Sequence, residues 1–325
     1  MRKTRARYHA AIRKVRNCEA NIVNERFASA LLENRNRDFW KEVKRVRCRT
    51  SNVSSVVDGQ VSADGIANMF ASRYSDLYTS VSYDNEDMQH IRDELNLSII
   101  TEGCECVSFV HTNEVMTAFS KLKPGKHDGN LGLCTDHFRN AGYELATHVA
   151  MLFSAMLIHG VASDDMYSCT LIPIPKGKNV NVTDSNNYRG IALSSVFGKL
   201  FDLIFLNKYS DSLCTSELQF GFKPMHSTSM CSMVLKEALA YYVVDGGSAF
   251  CTFLDATKAF DRVDYCKLFR ELLKRDLPRI YVRLLANLYT NNVAHVSRNG
   301  INSKKFVIKN GVRQGGIVSP VLFCV

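Results

Sequence analysis

The sequence predicts an α+β protein in which a mixed sheet is covered by helices. Beyond Val110, segments with apolar residues at helical spacing alternate with short apolar runs that are typical of strands. A late pair of segments flanks Asn299-Gly300, a dipeptide that favours a tight hairpin turn. The 325 residues are 46% hydrophobic, which is enough to form a substantial core.

Residues 1–50 are predicted to form a basic helical extension. Apolar residues recur at helical spacing from Ala6 to Val46, without proline or glycine. Residues 1–49 contain 15 Lys and Arg against 5 Asp and Glu, whereas the whole chain carries a net charge of only +9. A local surplus of this kind binds polyanions by releasing counterions, so nucleic acid is the leading partner. A solvated helix face and a nuclear-targeting patch remain open alternatives.

Residues 51–110 are interpreted as a linker with short helices. A turn is expected at Asp58-Gly59, and Ser62 is placed to cap the helix that follows it. A second short helix is expected to start at Asp84. The apolar face of the first helix is predicted to carry Ile66, Phe70, Tyr74 and Leu77.

Residues 111–325 are predicted to form one compact unit of helices and strands. A helix begins near Thr112, and a short buried strand is expected over Ala249 to Leu254. The other predicted helices cover 143–158, 194–209, 228–243, 265–274 and 278–289, and the other predicted strands cover 170–175, 294–298 and 304–308.

Neither a membrane span nor a secretory signal is predicted. No apolar run approaches the ~18 to 20 residues that cross a bilayer, so no membrane partner is expected. Met1 is followed by Arg2 and Lys3 without an apolar stretch. An intracellular protein, in the cytoplasm, the nucleus or both, is therefore expected.

The eleven cysteines predict reduced and mostly buried thiols rather than a disulfide framework. They are odd in number and scattered, and Cys231, Cys251 and Cys324 lie within apolar runs. Cys104 and Cys106 form a lone C-x-C, for which zinc is a minor alternative.

The segment from Phe253 to Val263, FLDATKAFDRV, carries the first candidate for chemistry. Asp255 follows the apolar stretch AFCTFL, so its carboxylate is expected at the end of a rigid strand, where a Mg²⁺ ligand could lie. An ordinary turn-forming aspartate is the alternative. Asp261 and Asp264 are interpreted as turn and capping residues, with Asp264 starting the next helix.

The segment from Gly311 to Pro320, GVRQGGIVSP, carries the second candidate. Paired glycines let a backbone approach a ligand closely, while Ser319 and Pro320 suit the start of a helix. The segment LIPIPKGKN…NYRG adds cations of the kind that phosphoryl transfer needs: Lys176, Lys178 and Arg189.

Four blocks in this order, NYRGIALSSVFGKLFD, QFGFKPMHST, FLDATKAFDRVDY and GVRQGGIVSPVLF, resemble consecutive motifs of a non-LTR (LINE-like) retrotransposon reverse transcriptase. The resemblance spans roughly Thr112 to Val325. It implies a right-hand polymerase fold, with fingers over 111–248 and part of the palm over 249–325. It also implies RNA-templated DNA synthesis from dNTPs on a DNA primer or target, with two Mg²⁺ ions. Oligomeric state is not predicted.

The same resemblance implies roles for single residues. Asp255 would bind metal, and the carbonyl of Ala256 would help to hold the second ion. Phe260 would lie under the nucleotide sugar, with a core aromatic as the alternative. The remaining implied roles are triphosphate contact by Arg189 and by Lys176 or Lys178, template or nucleotide contact by Lys223, a position near the template for Arg313, and contact with the templating base and nucleotide by Gln314 and Gly315.

The family's third catalytic motif, an aromatic followed by one residue and two aspartates, is expected beyond Val325. An incomplete domain with little or no polymerase activity is therefore expected, with the strand before Asp255 and an apolar helix face left open. The alternative function is a non-catalytic nucleic-acid-binding remnant of a retroelement.

Overall fold

The structure is a computed structural model that describes residues 24–30, 32–33, 38–40, 54–102, 109–128, 132–177, 179–244 and 246–325. The chain divides into two compact units, Met1–Ser54 and Ser55–Val325. In the first unit, residues 24–30 and 38–40 are helical. Most of the predicted basic helical extension lies outside the described residues, as do Cys104, Cys106 and Lys178.

The second unit contains helices and a mixed sheet, which confirms the predicted α+β class. Its helices are α1 (Ala63–Leu77), α2 (Asn85–Glu102), α3 (Thr112–Lys121), α4 (Thr135–Arg139), α5 (Tyr143–His159), α6 (Asp164–Tyr167), α7 (Val196–Tyr209), α8 (Thr228–Val244), α9 (Tyr265–Leu273), α10 (Arg279–Thr290) and α11 (Ser319–Cys324). Its strands are β1 (Ser168–Pro175), β2 (Tyr188–Leu193), β3 (Val293–Arg298), β4 (Ile301–Asn302) and β5 (Phe306–Val307). Short 3₁₀ turns cover Ser185–Asn187 and Phe260–Arg262.

The sheet has the order β2-β1-β3-β4, and β5 also pairs with β3. Strand β1 runs antiparallel to β2 and parallel to β3. The predicted hairpin is confirmed, since β4 and β5 both pair antiparallel with β3. Asn299 and Gly300 both have positive φ, at 54° and 79°, as a primed hairpin turn requires.

A first core lies between α1 and one face of the sheet. Helix α1 begins as predicted, because the Ser62 side chain accepts a hydrogen bond from the Gly65 N–H. Its apolar residues recur every three or four positions and turn one face toward the strands. This core buries Ile66, Phe70, Tyr74, Cys169, Leu171, Ala192, Ala294 and Val296.

A second core is built from helices. Helices α3, α5, α7, α9 and α10 carry their large apolar residues on the faces that meet there. Its largest buried side chains include Phe153, Phe201, Phe205, Phe269 and Tyr281. Packing of this amphipathic kind stabilises the helices more than intrinsic propensity does.

Residues 55–102 do not form the predicted linker. Helix α1 packs into the first core, and α2 is 18 residues long rather than short. The Asp58 side chain accepts the Ser185 N–H at 3.0 Å, which ties the Asp58-Gly59 turn to the segment before β2. The residues before the predicted polymerase region are therefore part of the same folded unit.

The predicted buried strand over Ala249 to Leu254 is wrong. These residues form no strand, and Phe250, Phe253 and Leu254 are 96%, 79% and 95% exposed. In the part of the chain that the structure describes, no strand pairs with this segment. A strand needs both a ladder partner and a covering layer, so its apolar composition alone does not bury it.

Helix α8 is also open, because none of its residues is buried. Exposed side chains on α8 include Met233, Tyr241 and Val244.

The cysteine prediction is half right. The described cysteines are free thiols, as predicted, and Cys134, Cys169 and Cys266 are buried. Cys231 and Cys251 are exposed, because the apolar runs that contain them are not covered.

Among the described residues, no helix is both long enough and apolar enough to cross a membrane.

Candidate active site

Three of the sequence motifs meet at a cluster of phenylalanine rings. Phe222 belongs to QFGFK, Phe260 to FLDATKAFDRV, and Phe323 follows GVRQGGIVSP in α11. The Phe260 and Phe323 rings stack with their centroids 4.6 Å apart, and the edge of Phe222 meets Phe260 at 5.4 Å. Phe260 is half-buried and packs on the second core. One side of its ring is therefore held by the protein, as a rigid wall requires.

The GVRQGG loop lies against the outer edge of β2. The Ala192 N–H donates to the carbonyl of Gln314 at 2.7 Å. Gly315 has a φ of +106°, and a Cβ there would lie 3.1 Å from the Ala192 carbonyl oxygen. Only glycine accepts this conformation at low cost. The structure thus brings Gln314 and Gly315 to the strand that carries Arg189.

Arg189 and Lys176 lie close together on the β1 and β2 hairpin. Arg189 pairs in register with Ile174 on β1, and the Lys176 N–H donates to the Asn187 carbonyl at 2.8 Å. Both basic side chains are exposed. Arg189 is three residues from Ala192 along β2, which is about 10 Å in a strand. Strand β2 was not predicted from the sequence. In the structure, this strand connects the two basic residues with the GVRQGG loop.

Lys223 lies in the irregular segment between α7 and α8. It is half-buried, and its Nζ donates to the Ser216 carbonyl at 3.4 Å. Its neighbour Phe222 has a positive φ of 59°. This backbone places the Phe222 ring in the aromatic cluster.

Asp255 does not lie at the end of a rigid strand, contrary to the prediction. Both Asp255 and Ala256 are exposed in the irregular segment before the Phe260 turn. Mg²⁺ often takes one or two protein carboxylates and completes its shell with water and phosphate oxygens, so Asp255 fits one such ligand. A two-ion site needs further carboxylates. The described residues contain no group of three or more His, Cys, Asp or Glu that could hold a metal ion.

The Arg313 side chain contacts protein groups. Its guanidinium donates to the Met166 carbonyl at 3.2 Å and lies over the Tyr289 ring, 5.9 Å from the centroid. Burial raises the pKa of the nearby Asp202 carboxyl to about 6, while the positive charge of Arg313 opposes that shift. Asp202 also accepts the Val318 N–H at 3.4 Å. These contacts hold the Arg313 guanidinium in place, and its position near the template stays a prediction.

Asp264 caps the next helix as predicted, but Asp261 is more than a turn residue. The Asp264 side chain accepts the Lys267 N–H at the start of α9. Asp261 is buried, and its carboxylate accepts the Tyr78 hydroxyl at 3.1 Å. Burial raises the pKa of Asp261, and the Tyr78 hydrogen bond and the Lys258 charge oppose that shift.

Four residues in and around the candidate site were not predicted from the sequence: Tyr78, Asp202, Phe222 and Phe323. Tyr78 is the C-cap residue of α1, one turn beyond Tyr74. The sequence pattern therefore predicts only a core residue at this position. Its polar partner is 183 residues away in sequence. No local pattern signals such a pair.

Comparison with known proteins gives the class of protein in which motifs of this kind occur. Residues 174–325 match the family described as reverse transcriptase (RNA-dependent DNA polymerase). The mixed helix and sheet architecture agrees with that class of polymerase.

Relatives of the chain come from Drosophila retroelements. The RNA-directed DNA polymerase from mobile element jockey of Drosophila melanogaster is 24% identical over 306 residues, which are 89% of this chain and 32% of that protein. The probable RNA-directed DNA polymerase from transposon X-element of the same fly is 24% identical over 321 residues, or 93% of this chain and 34% of that protein. The chain is similar to RNA-directed DNA polymerases of retroelements, and it spans about a third of the length of these two relatives.

Proposed function

We propose that the unit from Ser55 to Val325 binds a template, a primer and a dNTP for RNA-directed DNA synthesis. In this proposal residues 111–248 act as fingers and residues 249–325 as part of the palm. The observation that carries it is the convergence of three separated motifs on Phe222, Phe260 and Phe323. The likeness to retroelement polymerases supports the same function.

The triphosphate is proposed to lie on the β1 and β2 hairpin. Arg189 and Lys176 are exposed there and carry the cations that offset phosphate charge. Lys178 is the alternative lysine in the same segment. Gln314 and Gly315 adjoin this hairpin through the bond from Ala192 to the Gln314 carbonyl, so they are proposed to face the templating base and the incoming nucleotide.

The sugar is proposed to lie on Phe260, whose ring stacks on Phe323 and would exclude a 2′-hydroxyl. Lys223 is the proposed contact for the template. Asp255, with the Ala256 carbonyl, is the proposed metal-binding position, and Mg²⁺ bound there would neutralise phosphate charge. Among the described residues, Asp255 is the carboxylate at this position. The proposal of two-ion catalysis therefore rests on the resemblance to the family.

The basic segment of residues 1–49 is proposed to hold the RNA template or the DNA target. The surplus of Lys and Arg in this segment suits a phosphate backbone. The contribution of the segment to nucleic-acid affinity should decrease steeply as the salt concentration rises. The second candidate function, passive nucleic-acid binding without catalysis, is favoured by one observation. Asp255 lies exposed without an acidic cluster in the described part of the chain.

Primer extension on an RNA template with Mg²⁺ tests the proposal. We expect dNTP incorporation by the chain to be abolished by Asp255→Asn. Asp276→Asn is the matched control, because Asp276 is exposed and lies outside the motifs. Incorporation that survives Asp255→Asn would remove this residue from the mechanism.

The same preparation discriminates the second function. If the chain incorporates no dNTP but binds RNA, and deletion of residues 1–49 abolishes that binding, passive binding is the better description. Deletion of residues 1–49 should then also reduce the salt dependence of any RNA binding that remains.

A further inference from the structure

A buried hydrogen bond joins α1 to the segment that carries Phe260. Tyr78, the residue that ends α1, is 3% exposed, and Asp261 is 8% exposed. The Tyr78 hydroxyl donates to Asp261 Oδ1 at 3.1 Å. Asp261 follows Phe260 directly and belongs to the same 3₁₀ turn. The position of Phe260 is therefore linked to the end of α1.

Asn310 joins the glycine loop to the same point. Its Nδ2 donates to the main-chain carbonyl of Asp261 at 2.6 Å and to that of Leu77 at 3.2 Å. The main-chain N–H groups of Lys309 and Asn310 both donate to the Tyr78 carbonyl, at 2.9 and 3.1 Å. Asn310 is fully buried. Three chain segments thus share one buried polar network.

The next two residues bind the loop to the Phe260 turn through the main chain. The Gly311 N–H donates to the Val263 carbonyl at 2.8 Å, and the Val312 N–H donates to the Phe260 carbonyl at 2.7 Å. Gly311 has a φ of +90°, and a Cβ there would lie 2.6 Å from the Asp261 carbonyl oxygen. The close approach therefore requires glycine.

We propose that Tyr78, acting through Asp261, is a positioning residue that fixes the sugar-facing wall Phe260 relative to the Gln314 loop. We call Tyr78, Asp261, Asn310 and Gly311 the α1 clamp. This inference rests on the proposed nucleotide site. It assigns a specificity role to α1, which lies outside the matched residues 174–325.

Charge and burial support a role beyond packing. A buried carboxylate is costly unless it is well hydrogen-bonded, and an apolar side chain would fill the space with less penalty. The Asp261 carboxylate lies beside the residue proposed to discriminate sugars, and it accepts a hydrogen bond from the Tyr78 hydroxyl. Loss of that hydroxyl should let the Phe260 turn shift.

The chain offers a matched pair of variants on one helix face. Tyr74 lies one turn before Tyr78 on α1 and is buried to the same degree. Its hydroxyl has no hydrogen-bond partner among the described residues. Tyr78→Phe and Tyr74→Phe therefore remove the same atom from the same face, but only the first breaks the clamp.

The first readout is amide hydrogen exchange of Gly311 and Val312 by NMR. We expect Tyr78→Phe to lower their protection about tenfold, as the loss of one hydrogen bond to a buried charged group implies. Tyr74→Phe should change it less than about twofold. Equal protection in Tyr78→Phe and the wild-type chain would overturn the clamp.

The second readout is the ratio of dNTP to rNTP affinity on an RNA–DNA template–primer, measured with labelled nucleotides. Tyr78→Phe should lower this ratio toward that of Phe260→Val, whereas Tyr74→Phe should keep it. A lowered protection with an unchanged ratio would overturn the specificity role. A wild-type chain that binds neither nucleotide would contradict the proposed function, and the exchange experiment would still decide whether the clamp exists.

Discussion

Asp202→Asn should leave the protein as stable as the wild type at pH 7, or more stable, although it removes a partly buried charge beside Arg313. The Asp202 carboxyl lies behind the GVRQGG loop, and burial raises its pKa from 3.8 to about 6. That shift already includes the opposing attraction of Arg313 and the main-chain hydrogen bonds. Ionisation of this group therefore costs more in the folded protein than it gains from its partners.

The magnitude follows from proton linkage. A shift of about two pKa units corresponds to about 3 kcal/mol at most, since one unit is worth about 1.4 kcal/mol. The folded state binds more protons than the unfolded state between pH 3.8 and about 6. The contribution of this group thus lowers stability as pH rises through that window, and the full cost is present above it. An asparagine avoids the cost of ionisation in the folded protein. Its amide is imperfectly hydrogen-bonded there, however, which reduces the gain in stability by about 1 kcal/mol.

The assay is urea unfolding of the wild type and of Asp202→Asn between pH 4 and 8. We expect the two proteins to have similar stability near pH 4, and the variant to gain about 1 to 2 kcal/mol by pH 7. A variant that is less stable than the wild type by more than about 1 kcal/mol at pH 7 would refute the reasoning. The attraction between Asp202 and Arg313 would then outweigh the cost of burial.

Two further predictions concern the glycine loop and the basic hairpin. Gly311→Ala should lower the free energy of unfolding by more than about 2 kcal/mol, because it combines positive φ with a backbone clash. Gly300→Ala is the control, since its added Cβ meets nothing within 4 Å, and it should cost about 1 kcal/mol in the same urea titration. Arg189→Ala should weaken dNTP binding about tenfold without changing stability, as an exposed phosphate contact implies. Lys274→Ala, which breaks only an exposed pair with a neighbour, should leave nucleotide binding unchanged; equal losses in both variants would contradict the assignment of Arg189.

Local features were predictable because their causes lie within a few residues. Ser62 and Asp264 cap helices through their own side chains, and the pattern of apolar residues after each cap marks the buried face. The Asn299-Gly300 turn follows equally from residues that tolerate positive φ. The order of four motifs was sufficient to recognise the resemblance to retroelement reverse transcriptases, which the comparisons confirm.

Non-local features were not predictable in the same way. The stretch from Ala249 to Leu254 has the composition of a buried strand, yet its side chains are exposed because burial depends on segments that lie beside it. The Met166 carbonyl and the Tyr289 ring hold the Arg313 guanidinium, and neither contact could be predicted from the motif. Both outcomes are decided by partners that are distant in sequence.

The sequence by itself indicated the resemblance to retroelement reverse transcriptases, the α+β class and the motif residues of the candidate site, since these depend on residue type, spacing and short-range backbone preference. Only the tertiary structure decided which side chains share a buried environment. It paired Tyr78 with Asp261 across 183 residues and gathered Phe222, Phe260 and Phe323 into one cluster. The physical reason is that hydrogen-bond satisfaction and ring packing depend on distances in space, which chain order does not encode position by position.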